Sequence, residues 1–145
     1  MLLRRALPPG FVASDAPESL VLSLNKGVDQ QFDAMEKVLY AADETEIASA
    51  LVATGPLSVA LNAAHLQFYQ RGVYSPSHCD PEELDHAVLL VGYGTDSSSG
   101  TGYWKVKNSW GSSWGEDGFI RLSSDVSQSG GQCGILMSAS YPTAE

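Results

Sequence analysis

His86 opens an apolar run, LDHAVLLVGYG, and Asn108 closes another, YWKVKN. An imidazole can take and give a proton near neutral pH, and an amide can hold the ring that does so. On a strand over residues 84–91 side chains alternate, so His86, Val88 and Leu90 share one face and Asp85, Ala87, Leu89 and Val91 the other. Asp85 is therefore badly placed to orient its neighbour. On the second strand Trp104, Val106 and Asn108 face one way and Tyr103, Lys105 and Lys107 the other, with the lysines marking the wet side. A hairpin closed by the loop 92–102, with Val91 opposite Tyr103, sets Leu90 against Trp104, Val88 against Val106 and His86 against Asn108. Opposed residues have Cβ atoms roughly 4.5–5.5 Å apart, within reach of an amide–imidazole hydrogen bond. A buried amide without partners costs about 1–3 kcal/mol, so an Asn on an apolar face calls for one. A neutral amide suits a histidine that works with a thiol, where thiolate and imidazolium can already be paired at rest. The residues alone leave two readings: a catalytic base with its orienter, or a satisfied polar contact inside a core.

The two cysteines, Cys79 and Cys133, form no CxxC pair; on spacing they can be free, bridged or metal-bound. His78 beside Cys79 makes a ligand cluster conceivable, but no tetrahedral spacing is legible and no metal is expected. His65 reads as a surface or boundary residue. The net charge of −9, from 8 basic and 17 acidic residues with the basic ones scattered, argues against a nucleic-acid partner. No apolar stretch approaches the ~18 residues of a membrane span. The opening MLLRRALPPGFVAS makes a poor secretory signal.

The surrounding elements follow from pattern. Residues 1–30 read as a poorly defined N-terminal segment with a short strand at SLVLSL (19–24), and 31–145 as one lobe. QFDAMEKVLY (31–40) is ambiguous between strand and helix. DETEIASALVATG predicts a helix capped by Asp43 or Thr45, with Ile47, Ala50 and Leu51 on its apolar face, running to about Val52 before Gly55. GPLSVALNA alternates as a strand, HLQFYQRGVY predicts one helical turn with a Gly exit, and PSHCDPEEL a loop. GFIRL (118–122) predicts a short strand, SSDVSQSGGQCG a loop and ILMSASYP a last extended run. Short strands, loop-rich connections and one good helix make an α+β fold with an antiparallel sheet or partial barrel.

LDHAVLLVGYG, YWKVKNSWGSSWGEDGFIRL, GPLSVALNA, LQFYQRGVY and CGI…SASYP together resemble the C-terminal, right-hand half of a papain-like cysteine peptidase of the cathepsin L or cathepsin F kind. The resemblance spans about residues 32–142, in order and at matching intervals. It implies that His86 is the catalytic histidine and Asn108 its orienter, and that Trp110 and Trp114 support the site, the first by shielding the His–Asn bond from water. It implies that Ala60, Leu84 and Ser138 line the pocket for the second residue ahead of the cleaved bond, with an apolar or aromatic side chain preferred because Ser138 is small and neutral. It also implies a Cys79–Cys133 disulfide, a peptide or protein substrate, no cofactor, and a lysosomal, vacuolar or secreted setting.

That family's nucleophile lies in a CGSCW-like helix preceded by a Gln of the oxyanion hole, and neither motif occurs among these residues. The expectation is a lobe carrying the base and its orienter, whose partner is the absent N-terminal lobe. The face meant for that lobe would leave His86 and Trp110 in solvent, favouring association. The rival expectation is a non-catalytic module that holds a peptide or partner on the same wall.

Overall fold

The structure, a computed structural model, describes residues 11–12, 36–40 and 42–142. In chain order these form β1 (Phe11–Val12), β2 (Glu36–Tyr40), α1 (Glu44–Thr54), β3 (Leu57–Leu61), a 3₁₀ turn at Leu66–Phe68, β4 (Val73–Tyr74), β5 (His86–Thr95), β6 (Gly102–Lys107), β7 (Phe119–Ser123), a second 3₁₀ turn at Gln132–Gly134, and β8 (Ser138–Pro142). The strands make one sheet in the order β2-β8-β3-β5-β6-β7-β4, with β1 pairing alongside β5. This is the expected α+β fold, with one α-helix among the described residues. The sheet is not wholly antiparallel, because β4 pairs with β7 in parallel, Val73 opposite Arg121.

Asp43 caps α1 by accepting the backbone N–H of Glu46 at 2.8 Å, and Glu44 and Glu46 place negative charge at the positive end of the helix dipole. Gly55 ends the helix at φ 91°, a conformation that costs glycine little, and its N–H returns to the carbonyl of Leu51. The helix runs two residues past the expected Val52. Its buried face is Ile47, Ala48 and Leu51, while Ala50 packs half-buried at the margin. That face lies on a core built from Leu57, Val59 and Leu61 of β3, Val88 and Leu90 of β5, Trp104 and Val106 of β6, and Ile120 and Leu122 of β7. Burying each of these large side chains contributes about 1.5–3 kcal/mol.

β5 runs through the middle of the sheet. Its first half pairs with β3, Leu61 opposite His86 and Leu57 opposite Leu90, and its second half extends beside β6. The β5–β6 register differs from the expected one. Leu90 faces Val106 and Leu89 faces Lys107, a slip of two residues, and a bulge at Val91 then sets Gly92 against Lys105 and Tyr93 against Trp104. An even slip keeps every side chain on its face, so His86 and Asn108 stay on the same side. The bulge inserts one residue and exchanges the faces beyond it. Tyr93 thereby joins the Val88–Leu90 side and packs edge-on against Trp104, with ring centroids 6.2 Å apart. Leu89 and Val91 are buried on the opposite side with Phe119. Lys105 and Lys107 are not simply in water there, since each ammonium lies 4.8 Å from the Phe119 ring.

The strand expected at 19–24 lies outside the described residues. Within the segment read as poorly defined, Phe11 and Val12 pair with Tyr93 and Gly92. The ambiguous 31–40 stretch is a strand over Glu36–Tyr40, fixed by its ladder with β8. The expected turn after His65 is the 3₁₀ segment Leu66–Phe68, with Gly72 at φ 86° before β4. Ser138–Pro142 is extended as expected, whereas Ile135 is still in helical conformation as the cap of the preceding turn.

Candidate active site

The start of β5, the end of β3, the end of β6 and the start of β8 all fall at one end of the sheet. His86 stands there, half-buried, opposite Leu61. Asn108 follows Lys107, whose partner is Leu89, so it stands level with Val88 rather than directly across from His86. The contact is diagonal, and His86 Nε2 lies 2.9 Å from Asn108 Oδ1. Asp85, excluded as an orienter by the alternation, instead accepts the backbone N–H of Ala63 at 2.8 Å.

The amide orientation is determined by its surroundings. Asn108 Oδ1 also accepts the N–H of Ser109 at 2.8 Å, and turning the amide over would set a donor against that donor. Oδ1 is thus an acceptor for both neighbours, so Nε2 of His86 carries a proton and the neutral ring is left with Nδ1 as its basic nitrogen. Asn108 itself is 4% exposed, and among the described residues its Nδ2 has no hydrogen-bond partner.

Trp110 stacks on the His86 ring, centroids 5.2 Å apart at 30°, while remaining 40% exposed. Trp114 meets Trp110 edge-on at 5.2 Å and donates its indole N–H to the carbonyl of Leu66 at 3.1 Å. Ala60 is opposite Ala87 on β5, and continuing the β3–β8 ladder one step places Ser138 level with Ala60. Leu84 packs on Gly134 so closely that a Cβ there would come within 2.6 Å of its Cδ2. Gly134 in turn follows Cys133, whose carbonyl accepts the N–H of Asn62 just beyond β3. Cys79 and Cys133 form a disulfide. His65 and His78, both exposed, line an open hollow of about 540 Å³ beside that bridge. Among the described residues no group of three or more His, Cys, Asp or Glu is arranged to hold a metal, and no helix is long and apolar enough to cross a membrane.

Sequence reasoning missed a second cluster. Arg121 on β7 donates from Nε and one terminal nitrogen to the two oxygens of Glu116, each at 2.8 Å, and from the other to Asp96 at 2.8 Å. Glu116 also accepts the N–H of Gly72 at 2.8 Å, and Tyr69 donates its hydroxyl to the carbonyl of Gly72 at 2.7 Å. The legible signal was the turn in GEDGFIR, where Glu116 bridges back to Phe119 and so brings Glu116 and Arg121 to the same side. The Arg121 bonds hold the Glu116 carboxyl below its ordinary range against the opposing effect of burial. Hydrogen bonds from Ser98, Arg121 and Ser99 hold Asp96 well below the usual carboxylate range. Burial pushes the Tyr69 phenol up to about 12.

A carboxyl depressed in the folded state binds fewer protons than in the unfolded chain, so its stabilisation is complete above the unfolded pKa and is lost as pH falls through the folded one. The clamp is therefore at full strength above about pH 5 and weakens progressively below. Glu116→Gln should lower the melting temperature more at about pH 6 than at about pH 3.5. A difference from the parent that does not narrow on acidification would show that the Glu116 charge is not what stabilises.

Comparison with known proteins identifies the family of this chain. The model of the family described as papain family cysteine protease matches residues 20–143. Cathepsin L1 of Drosophila melanogaster is 46% identical over 120 residues, covering 81% of this chain and 31% of that protein. Cathepsin L of Sarcophaga peregrina is 50% identical over 103 residues, covering 70% of this chain and 29% of that one. The bromelain protease from Ananas comosus superposes with a TM-score of 0.68 at 42% identity, over 77% of this chain and 50% of that structure. This chain thus spans about a third of the length of these curated relatives.

Proposed function

The chain belongs to the papain family of cysteine proteases, and from that premise we propose that it is the acid–base lobe of a cysteine-type endopeptidase, with His86 as the proton carrier and Asn108 as its orienter. The observation that carries the reading is the 2.9 Å contact between His86 Nε2 and an Asn108 oxygen locked by Ser109. The nucleophile comes from elsewhere, because the sequence has two cysteines and both are in the disulfide. In the assembled enzyme a thiolate on the N-terminal lobe attacks the peptide carbonyl, and the imidazolium of His86 gives the Nδ1 proton to the departing amine. Nδ1 then takes a proton from water as it attacks the thioester and keeps it as the acid leaves and the thiolate is released, which restores the thiolate–imidazolium pair. Trp110 covers one face of the ring and keeps bulk water off the His86–Asn108 bond.

Ala60, Leu84 and Ser138 form the side of the cleft that receives the second residue ahead of the scissile bond, and their small or apolar character favours an apolar or aromatic side chain. Ser138→Glu is expected to shift preference toward Arg at that position. The check is the ratio of kcat/KM for paired Phe and Arg peptide amides, and an unchanged ratio removes Ser138 from the pocket. The disulfide supports a lysosomal, vacuolar or secreted setting.

The locked cysteines also support a second reading, a non-catalytic lobe that uses the same wall to hold a peptide or partner. Combining the chain with a separately produced N-terminal half that carries the thiol separates the two. Turnover of a peptide amide that requires His86 supports the peptidase; association of folded halves without turnover leaves only the binding module.

A further inference from the structure

Trp110 is the least secured part of the site. It is 40% exposed, and its ring contacts are a stack on His86 and an edge contact with Trp114. What keeps it there must act through the loop that carries both indoles. That loop leaves β6 at Asn108 and returns at Gly118, closed by the Asn108 N–H on the Gly118 carbonyl at 3.0 Å. Its far side is tied to the 66–72 segment at two points, Trp114 Nε1 on the Leu66 carbonyl and the Gly72 N–H on Glu116. Between these points the Tyr69 ring packs against Trp114, centroids 5.5 Å apart, and its hydroxyl accepts the N–H of Arg121 at 3.4 Å. Glu116 is held from the other side by two nitrogens of Arg121, whose third nitrogen is on Asp96 of the β5–β6 loop. The same carboxylate thus ties the indole-bearing loop to β7 and to the segment that supports Trp114.

We propose that Glu116 is a positioning residue: gripped by Arg121, it fixes the 109–118 loop against Leu66–Gly72, so that Trp114 holds Trp110 stacked on His86. Glu116 touches neither imidazole nor substrate, and its influence on the chemistry runs through two indoles. Its importance for turnover rests on the role proposed above for His86, but the contact itself does not. A bidentate guanidinium–carboxylate pair suits this task because two parallel hydrogen bonds fix direction as well as distance. Gln in its place keeps the size and loses the charge-assisted fork.

The test uses the 145-residue chain and reads the ring protons of His86 by NMR. Stacking under Trp110 moves these protons upfield, and Trp110→Ala defines their position without the indole. Glu116→Gln is expected to move them most of the way toward that position at a temperature well below unfolding, with near-ultraviolet circular dichroism still native. Glu116→Asp, which keeps the charge, should stay closer to the parent. A folded Glu116→Gln chain whose His86 protons do not move overturns the proposal. Should that variant not fold, Arg121→Lys decides: it keeps the positive charge and removes the two-pronged grip on Glu116, and an unmoved His86 signal again overturns the proposal. The readout is independent of turnover. An inactive reconstituted enzyme with a responsive His86 signal defeats the catalytic reading alone, and an active one with an unresponsive signal defeats this inference alone.

Discussion

His86→Ala is expected to leave the two reassembled halves folded and to lower turnover of a peptide amide by about 10²–10⁴-fold. The size follows from the two proton transfers proposed for Nδ1, one to the leaving amine and one from the hydrolytic water. The loss should appear in kcat and in kcat/KM together, because the imidazole stabilises charge that develops at the transition state. Folding should be little affected, since the ring is half-buried and, among the described residues, its hydrogen bond is the one to Asn108. Asn108→Ala should cost less, about 10–100-fold, the equivalent of one buried hydrogen bond that orients a ring. The graded pair of losses is diagnostic: a purely structural polar contact would lower melting temperature in both variants and leave the activity of the folded fraction alone. Residual activity of His86→Ala within tenfold of the parent would rule out its role as proton carrier.

The second large effect is on stability. Replacing both Cys79 and Cys133 by alanine opens a covalent loop with a sequence separation of 54. The chain-entropy relation gives about 4 kcal/mol for a loop of this length, equivalent to roughly 10–20 °C in melting temperature for a chain of this size. The bridge joins the loop that leads into His86 to the turn whose carbonyl at Cys133 accepts the Asn62 N–H. Loosening it also frees Leu84 from Gly134, so substrate selectivity at that wall should relax in the same variant. Urea unfolding of the oxidised parent and the double variant measures the difference; a value under about 1 kcal/mol would mean that the remaining contacts already hold this corner.

Much of the site was legible because alternation along a strand survives errors of pairing. The expected register of β5 on β6 was wrong by two residues, yet His86 and Asn108 remained partners, since only an odd slip changes faces. The bulge at Val91 was not legible. It sits inside a continuous apolar run, where an extra residue leaves no mark in the pattern, and its effect, Tyr93 set against Trp104, shows only in three dimensions. The parallel pairing of β4 with β7 was equally hidden, because two residues carry no periodicity and a remote strand fixes them. The Arg121 clamp draws on Asp96, Glu116 and Gly72, which come from three separated loops, so spacing alone could not assemble it. The helix was readable because capping is local: Asp43 and Gly55 mark its ends by their own chemistry.

The disulfide has a practical consequence. Its two sulfurs account for all the cysteine in the sequence, so the oxidised lobe offers no thiolate to an electrophile. When the lobe is mixed with a thiol-bearing half, the consumption of a thiol-selective reagent reports on that other half. The lobe is then a silent background, against which the reactivity of a single sulfur can be titrated with and without His86 beside it.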